Sequence, residues 1–275
     1  MSYLIYVVIG VIGVLACLYR YGWIVTSDGQ AYIEIANGKP GLAPFRWRLV
    51  ARLLGRSPRL WVGISWTALV ASTALVGVYA DQHGLPGWAA AALFVSLPYF
   101  RGLVRIPIVT DHLGMFFALA AGVAPWWAAI PLGVLAGCCN EKAPIFAAIF
   151  AWSPLPLVGL VVPATMVLLT RGGPKSLHNS WKLMRELHNK AQPHIYILPW
   201  GVCLLGVLTP TYQLLLAIVF GYAQMLVATD RSRLYQMGAP VVILATLAVL
   251  PAWALLPAIL TMIALPSTDF VAPWK

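Results

Sequence analysis

Only 9% of this 275-residue chain is charged, so each ionisable residue stands out against an apolar background. These residues fall into short clusters. The first is Ser27-Asp28-Gly29-Gln30-Ala31-Tyr32-Ile33-Glu34-Ile35-Ala36-Asn37-Gly38. Asp28 there has two readings: a general base taking the proton of an acceptor hydroxyl, or a residue that caps a helix and complements its dipole. Downstream, Phe45-Arg46-Trp47-Arg48 opens a stretch in which Arg48, Arg52 and Arg56 share an i, i+4 spacing, one stripe if the stretch is helical. Arginine forks suit multidentate phosphate recognition. The same stripe would also rest on anionic lipid headgroups with snorkelling side chains. Both hold if Arg46 and Arg48 meet a substrate and the later arginines meet lipid.

Three further clusters interrupt apolar runs. They are Thr110-Asp111-His112, Asn140-Glu141-Lys142 and Asp230-Arg231-Ser232-Arg233. An ionisable residue inside a membrane-type segment is by default a functional candidate. The plainer readings are Asp111 as a helix cap, Glu141 and Lys142 as a structural pair, and Asp230 as the neutraliser of an arginine. Arg231 and Arg233 otherwise suit a phosphate.

The elements that must hold these clusters are apolar. Hydrophobic residues make up 61% of the chain and the mean hydropathy is +0.83. That leaves too little polar material to cover a soluble globule, where about half the residues are apolar and a quarter charged. A soluble enzyme, a disordered tail and a fibrous repeat are excluded. The expected fold class is all-α: a polytopic transmembrane bundle of about 9 to 11 spans, one domain over 1–275. Apolar segments lie near 3–19, 60–79, 88–100, 113–124, 126–139, 143–152, 155–170, 195–208, 212–228, 239–250 and 252–265. The first lacks a basic n-region and a small-x-small cleavage site, so it reads as an uncleaved span. Several are short, and Pro107, Pro144, Pro154, Pro156, Pro163, Pro199, Pro251 and Pro257 imply kinked or broken helices.

Simple alternation of these segments puts nearly all ionisable residues on one side. That face receives the first polar loop, about 20–59, with 101–112, 140–142, 171–194 and 230–233. The opposite turns, 81–84, 124–126, 153–154 and 209–210, are tight and almost uncharged. In the first loop, Ser27 or Asp28 reads as the N-cap and Gly38 as the stop of a short interfacial helix, with Ala31, Tyr32, Ile35 and Ala36 facing lipid or protein. In 171–194, Leu177, Trp181, Met184, Leu187 and Ala191 follow helical steps, the pattern of an interfacial amphipathic helix. His178, His188 and His194 there lack ligand spacing, and Cys17, Cys138, Cys139 and Cys203 read as small hydrophobes rather than a zinc set. The net charge of +10 points to membrane lipid and phosphate-bearing substrates, not nucleic acid. The positive-inside rule taken alone would turn the basic face to the cytoplasm.

Together the clusters resemble a known family. Asp28-Gly29-x-x-Tyr32 after the first span, followed by Pro44-Phe45-Arg46-x-Arg48-Leu49, resembles the first external loop of GT-C membrane glycosyltransferases. The likeness continues in Thr110-Asp111-His112, in Asn140-Glu141 after a Gly-rich span, and in Asp230-Arg231-x-Arg233-Leu234. It implies a GT-C-like fold in a bacterial-type cytoplasmic membrane. It also implies transfer of sugar from a polyprenyl-phosphate-linked donor, on the extracytoplasmic face, to a glycan, lipid or protein acceptor. By position, Asp28 matches the catalytic acid, and Arg46 and Arg48 match arginines near the donor phosphate. Asp111, Glu141, Arg231 and Arg233 match supporting positions, and with Tyr32, His112 and Lys142 they complete the expected substrate- and phosphate-binding set. No cofactor is implied, and a divalent metal stays open. Members are commonly longer, so the resemblance is to a short form; the proline usual after the arginine pair is replaced by Ala51-Arg52-Leu53. Two other functions fit the same composition: a lipid or solute carrier, which needs polar groups deep in the membrane, and a non-catalytic membrane interaction protein.

Overall fold

A computed structural model describes residues 2–38, 49–169, 198–223 and 236–265. Every regular element among them is helical. In chain order they are α1 (Ser2–Tyr21), α2 (Ser27–Ala36), α3 (Leu49–Leu54), α4 (Pro58–Gln82), α5 (Gly87–Ser96), α6 (Pro98–Arg105) and α7 (Asp111–Val123). Then follow α8 (Ala129–Cys139), α9 (Ala143–Ala151), α10 (Val161–Leu169), α11 (Tyr212–Ala223), α12 (Ala239–Val249) and α13 (Leu255–Ala264). Tighter 3₁₀ pieces occupy Trp126–Ala128, Leu155–Leu160, Leu198–Leu208, Gln236–Gly238 and Ala252–Ala254.

Two helices, Tyr3–Tyr21 and Pro58–Gln82, are long and apolar enough to cross a membrane, and α5 with α6 makes a third if the bent pair is one span. The other apolar helices run shorter than the expected 9 to 11 full spans require, because proline and 3₁₀ turns cut them. Pro144 and Pro240 sit in first turns, and Pro154, Pro156 and Pro251 begin 3₁₀ segments. The segment read as one run over 88–100 is likewise broken. Pro98 forces Leu97 into extended backbone, and α5 and α6 diverge by 60°.

Packing is dense at the centre. α4 lies against α1, α5 and α7, and α7 against α8 and α9. Leu69, Val76, Leu93, Phe94, Phe100, Leu103, Met115, Leu119 and Phe146 fill the space between them. The α8 helix approaches Leu155–Leu160 closely at its glycines: a β-carbon on Gly137 would strike the carbonyl of Gly159, and one on Gly133 the backbone of Pro156. Arg101, buried in α6, donates from Nη1 to the Leu265 carbonyl at 2.9 Å and from Nη2 to that of Met262 at 3.4 Å. It thus satisfies the orphan carbonyls at the end of α13.

The periphery is also apolar. Leu4, Ile12 and Leu15 of α1, Val161 of α10, Leu215 and Val219 of α11, and Leu256 and Leu260 of α13 all stand exposed. Hydrophobic side chains therefore line both the inside and the outside of the bundle.

Candidate functional site

The short helix α2 is the first positioning element. Its N-cap is Thr26, whose hydroxyl accepts from the Gly29 amide at 3.2 Å, and not Ser27 or Asp28. Asp28 therefore belongs to the first turn of α2 and is not its cap. The stop is as expected: Gly38, at φ +80°, closes the helix with its amide on the Ile35 carbonyl at 3.1 Å. Ala31, Tyr32, Ile35 and Ala36 form one buried face, so the apolar side of α2 is turned to protein.

That face docks at the end of the bundle where α1 finishes and α4 and α7 begin. The Tyr32 ring packs on Trp61 of α4 with centroids 5.5 Å apart. Trp61 Nε1 donates to the Val109 carbonyl at 3.4 Å, and the Ile24 amide donates to the Arg105 carbonyl at 2.8 Å. Gly29 is the closest point. A β-carbon there would lie 3.0 Å from the Ile108 carbonyl oxygen and 3.3 Å from the Ile108 Cβ. Glycine after Asp28 thus lets α2 lie directly on the strap between α6 and α7.

The strap leads into the second acid. Thr110 occupies the cap position of α7, and Asp111 is its first helical residue, so Asp111 is not the cap. The Asp111 side chain is buried, and Oδ1 accepts from Asn140 Nδ2 at 3.0 Å. Asn140 Oδ1 in turn accepts from the Lys142 amide at 3.0 Å, which pins the turn between α8 and α9 to the start of α7. Glu141 and Lys142 are half-buried in that turn. His112 is fully buried, with Nε2 2.9 Å from the Leu103 carbonyl and Nδ1 3.3 Å from that of Val109. The closer contact makes Nε2 the proton-bearing nitrogen. His112 ties α6 to α7.

The structure therefore puts α2, which carries Asp28 and Tyr32, at the same end of the bundle as the Asp111–Asn140 pair and the Glu141–Lys142 turn. Asn140 is the residue whose role the sequence reading missed. Its signal was its place beside Glu141 between two apolar runs, but the amide's partner is 29 residues away. Arg56 departs from expectation. Helix α3 ends at Leu54 before Gly55 and Pro58, so Arg56 falls past it and cannot extend an Arg48–Arg52 stripe. It lines an open cleft of about 510 Å³ with Ile35, Ala36, Asn37 and Gly38. Arg46, Arg48, Arg231, Arg233 and the amphipathic stretch 171–194 lie outside the described residues. Among the described residues no three His, Cys, Asp or Glu side chains gather as a metal set, and the four cysteines are unbridged.

In comparisons with known proteins, no family model, no curated protein and no solved structure matches the chain.

Proposed function

We propose that this chain is a multi-pass integral membrane glycosyltransferase of GT-C type, taking sugar from a polyprenyl-phosphate-linked donor at the extracytoplasmic face. The observation that carries the reading is the docking of α2, with Asp28 in its first turn, onto the strap that leads to the buried Asp111–Asn140 pair. Two separate acidic clusters of the sequence thus share one end of the bundle. The exposed apolar flanks of α1, α11 and α13 support membrane residence, because water would penalise so much uncovered hydrocarbon. A donor of this kind keeps its tail in the bilayer and presents its sugar at the rim, which suits a polar end on an apolar bundle.

In the proposed reaction the Asp28 carboxylate takes the proton of an acceptor hydroxyl as that oxygen bonds to the anomeric carbon. The bond from that carbon to the phosphate oxygen breaks, and its electron pair leaves on the polyprenyl phosphate. Arg46, Arg48, Arg231 and Arg233 are assigned to the donor phosphate by their place in the sequence, where guanidinium groups would stabilise the developing charge. Asp111, held by Asn140, orients the acceptor side of the site with Glu141 and Lys142, and Tyr32 and His112 anchor the elements that carry it.

Transfer of radiolabelled sugar from polyprenyl-phosphate sugars in membranes tests this. Asp28→Asn lowers the rate about 10²- to 10⁴-fold, while Trp126→Phe, an exposed change at the opposite end, leaves it near wild type. Equal transfer by wild type and Asp28→Asn removes Asp28 from the mechanism.

A further inference from the structure

The opposite end of the bundle carries a shallow, open cavity of about 290 Å³ lined by His83, Trp152, Thr211, Tyr212 and Gln213. We propose that it binds the primary ammonium headgroup of an ethanolamine lipid, an inference that rests on the membrane residence proposed above.

The first argument is the backbone of Trp152. It is the one non-glycine residue at positive φ among the described residues, at φ +48° and ψ +43° just past the end of α9. That position ordinarily takes glycine or asparagine, because a β-carbon is disfavoured there. Packing does not explain the exception, since the side chain is 58% exposed. A bulky aromatic kept in a strained backbone and turned outward at the rim of a cavity fits a ligand contact.

The second argument is the cavity floor. Gln213 Nε2 donates to the Ile149 carbonyl at 2.9 Å and to Tyr79 Oη at 3.3 Å, and Tyr79 Oη donates to the Phe150 carbonyl at 3.2 Å. These bonds lock α4, α9 and α11 together and use the amide nitrogen, leaving Gln213 Oε1 as an acceptor. His83 Nδ1 lies 2.8 Å from the Tyr79 carbonyl, which can only accept, so Nδ1 carries a proton and in that tautomer Nε2 is a second acceptor. Among the described residues no lysine or arginine lines the cavity. Aromatic faces and lone pairs without a resident cation call for a cationic ligand that has N–H bonds to give.

The third argument is location. The cavity sits where α4, one of the two helices of spanning length, ends, and Trp126, Trp127 and Trp253 stand exposed at the neighbouring turns. Exposed tryptophan of this kind marks the headgroup zone of a bilayer, so a lipid amine, not a free one, is the source.

The test uses the full chain reconstituted into vesicles of equal phosphatidylethanolamine, phosphatidylcholine and phosphatidylglycerol, then released for native mass spectrometry. Wild type retains ethanolamine lipid about fivefold over choline lipid. Trp152→Gly and Tyr212→Ala lose that preference, and free ethanolamine does not displace the bound lipid. Trp152→Gly is informative because glycine relieves the backbone, so its Tm holds or rises while the preference disappears. Equal retention of all three headgroups, a preference that survives both substitutions, a lowered Tm in Trp152→Gly, or displacement by free ethanolamine each overturns the lipid site. Those outcomes leave the membrane reading intact. Release of the chain from membranes by alkaline carbonate overturns the membrane reading, and the lipid site falls with it.

Discussion

The two ends of the bundle are built from the same apolar helices and finished in opposite ways. At one end, backbone and side chains converge on acids: α2 docks its first turn on the Ile108 strap, and Asn140 holds Asp111. At the other, the acid Asp81 is spent on structure, accepting from Tyr6 Oη at 2.6 Å and from the Gly87 amide at 3.2 Å. The exposed groups around it are tryptophan and tyrosine. Asp81 is tied by a hydroxyl from α1 and a turn amide, whereas Asp111 is buried with the amide of Asn140, near the helix that carries Asp28. The difference between the ends is thus one of how acids are partnered, and it can be broken by substitution.

The largest stability effect is expected at Asn140. Asn140→Leu is close in volume but removes the amide from a buried carboxylate and the acceptor from the Lys142 amide. Leaving such groups buried without their partner costs about 2 to 3 kcal/mol. Thermal unfolding in detergent reads the loss. The pair Asp111→Leu with Asn140→Leu recovers part of it, since removing both polar partners is cheaper than removing one. A double variant no better than the single shows that the bond is not what holds this turn.

Much of this contrast was legible in the sequence, for stated reasons. The partition of charge between alternate turns is a property of span order; among the described residues Tyr6, Asp81, Gln82 and Val123 meet at one end, and Ile24, Arg105, Asp111 and Asn140 lie at the other. The buried face of α2 follows from helical spacing, and its stop from a glycine. What was hidden depends on tertiary partners. Thr26 outcompetes Ser27 and Asp28 as cap because the approach to Ile108 fixes where the first turn starts. The break at Leu97 came from Pro98, a single residue inside a run that hydropathy alone reads as continuous. Trp152 in left-handed backbone carries no local signal, because tryptophan is the wrong residue for that place.

A smaller effect is expected at the other end. Tyr6→Phe deletes the bond to Asp81, and the ring stays packed beside Gly77. A hydrogen bond to an ionised group exceeds a neutral one, but Asp81 is exposed and partly screened, so about 1.5 kcal/mol is lost. A double-mutant cycle with Asp81→Asn isolates the term. In a sugar-transfer assay the rate is unchanged, because the fastening end is remote from the acids of α2 and α7. A lowered rate at unchanged stability would erase the division between the two ends.

The smallest effect separates position from strength. Thr26→Ala removes the cap of α2 and costs about 0.5 to 1 kcal/mol, within the usual range for a lost N-cap. Global unfolding barely registers it, because Tyr32 and Trp61 still pin the helix from its other side. The local readout is hydrogen exchange at the Gly29 amide, which loses its acceptor and exchanges faster. Asp28 stands next to that amide, inside the turn that frays, so transfer falls several-fold, more than the stability change alone would produce. Thr26→Ser retains a hydroxyl cap and restores both exchange protection and rate. Should Thr26→Ala speed exchange yet leave transfer unchanged, the first turn of α2 would be an attachment like the one at Asp81, and the two ends of the molecule would differ in composition only.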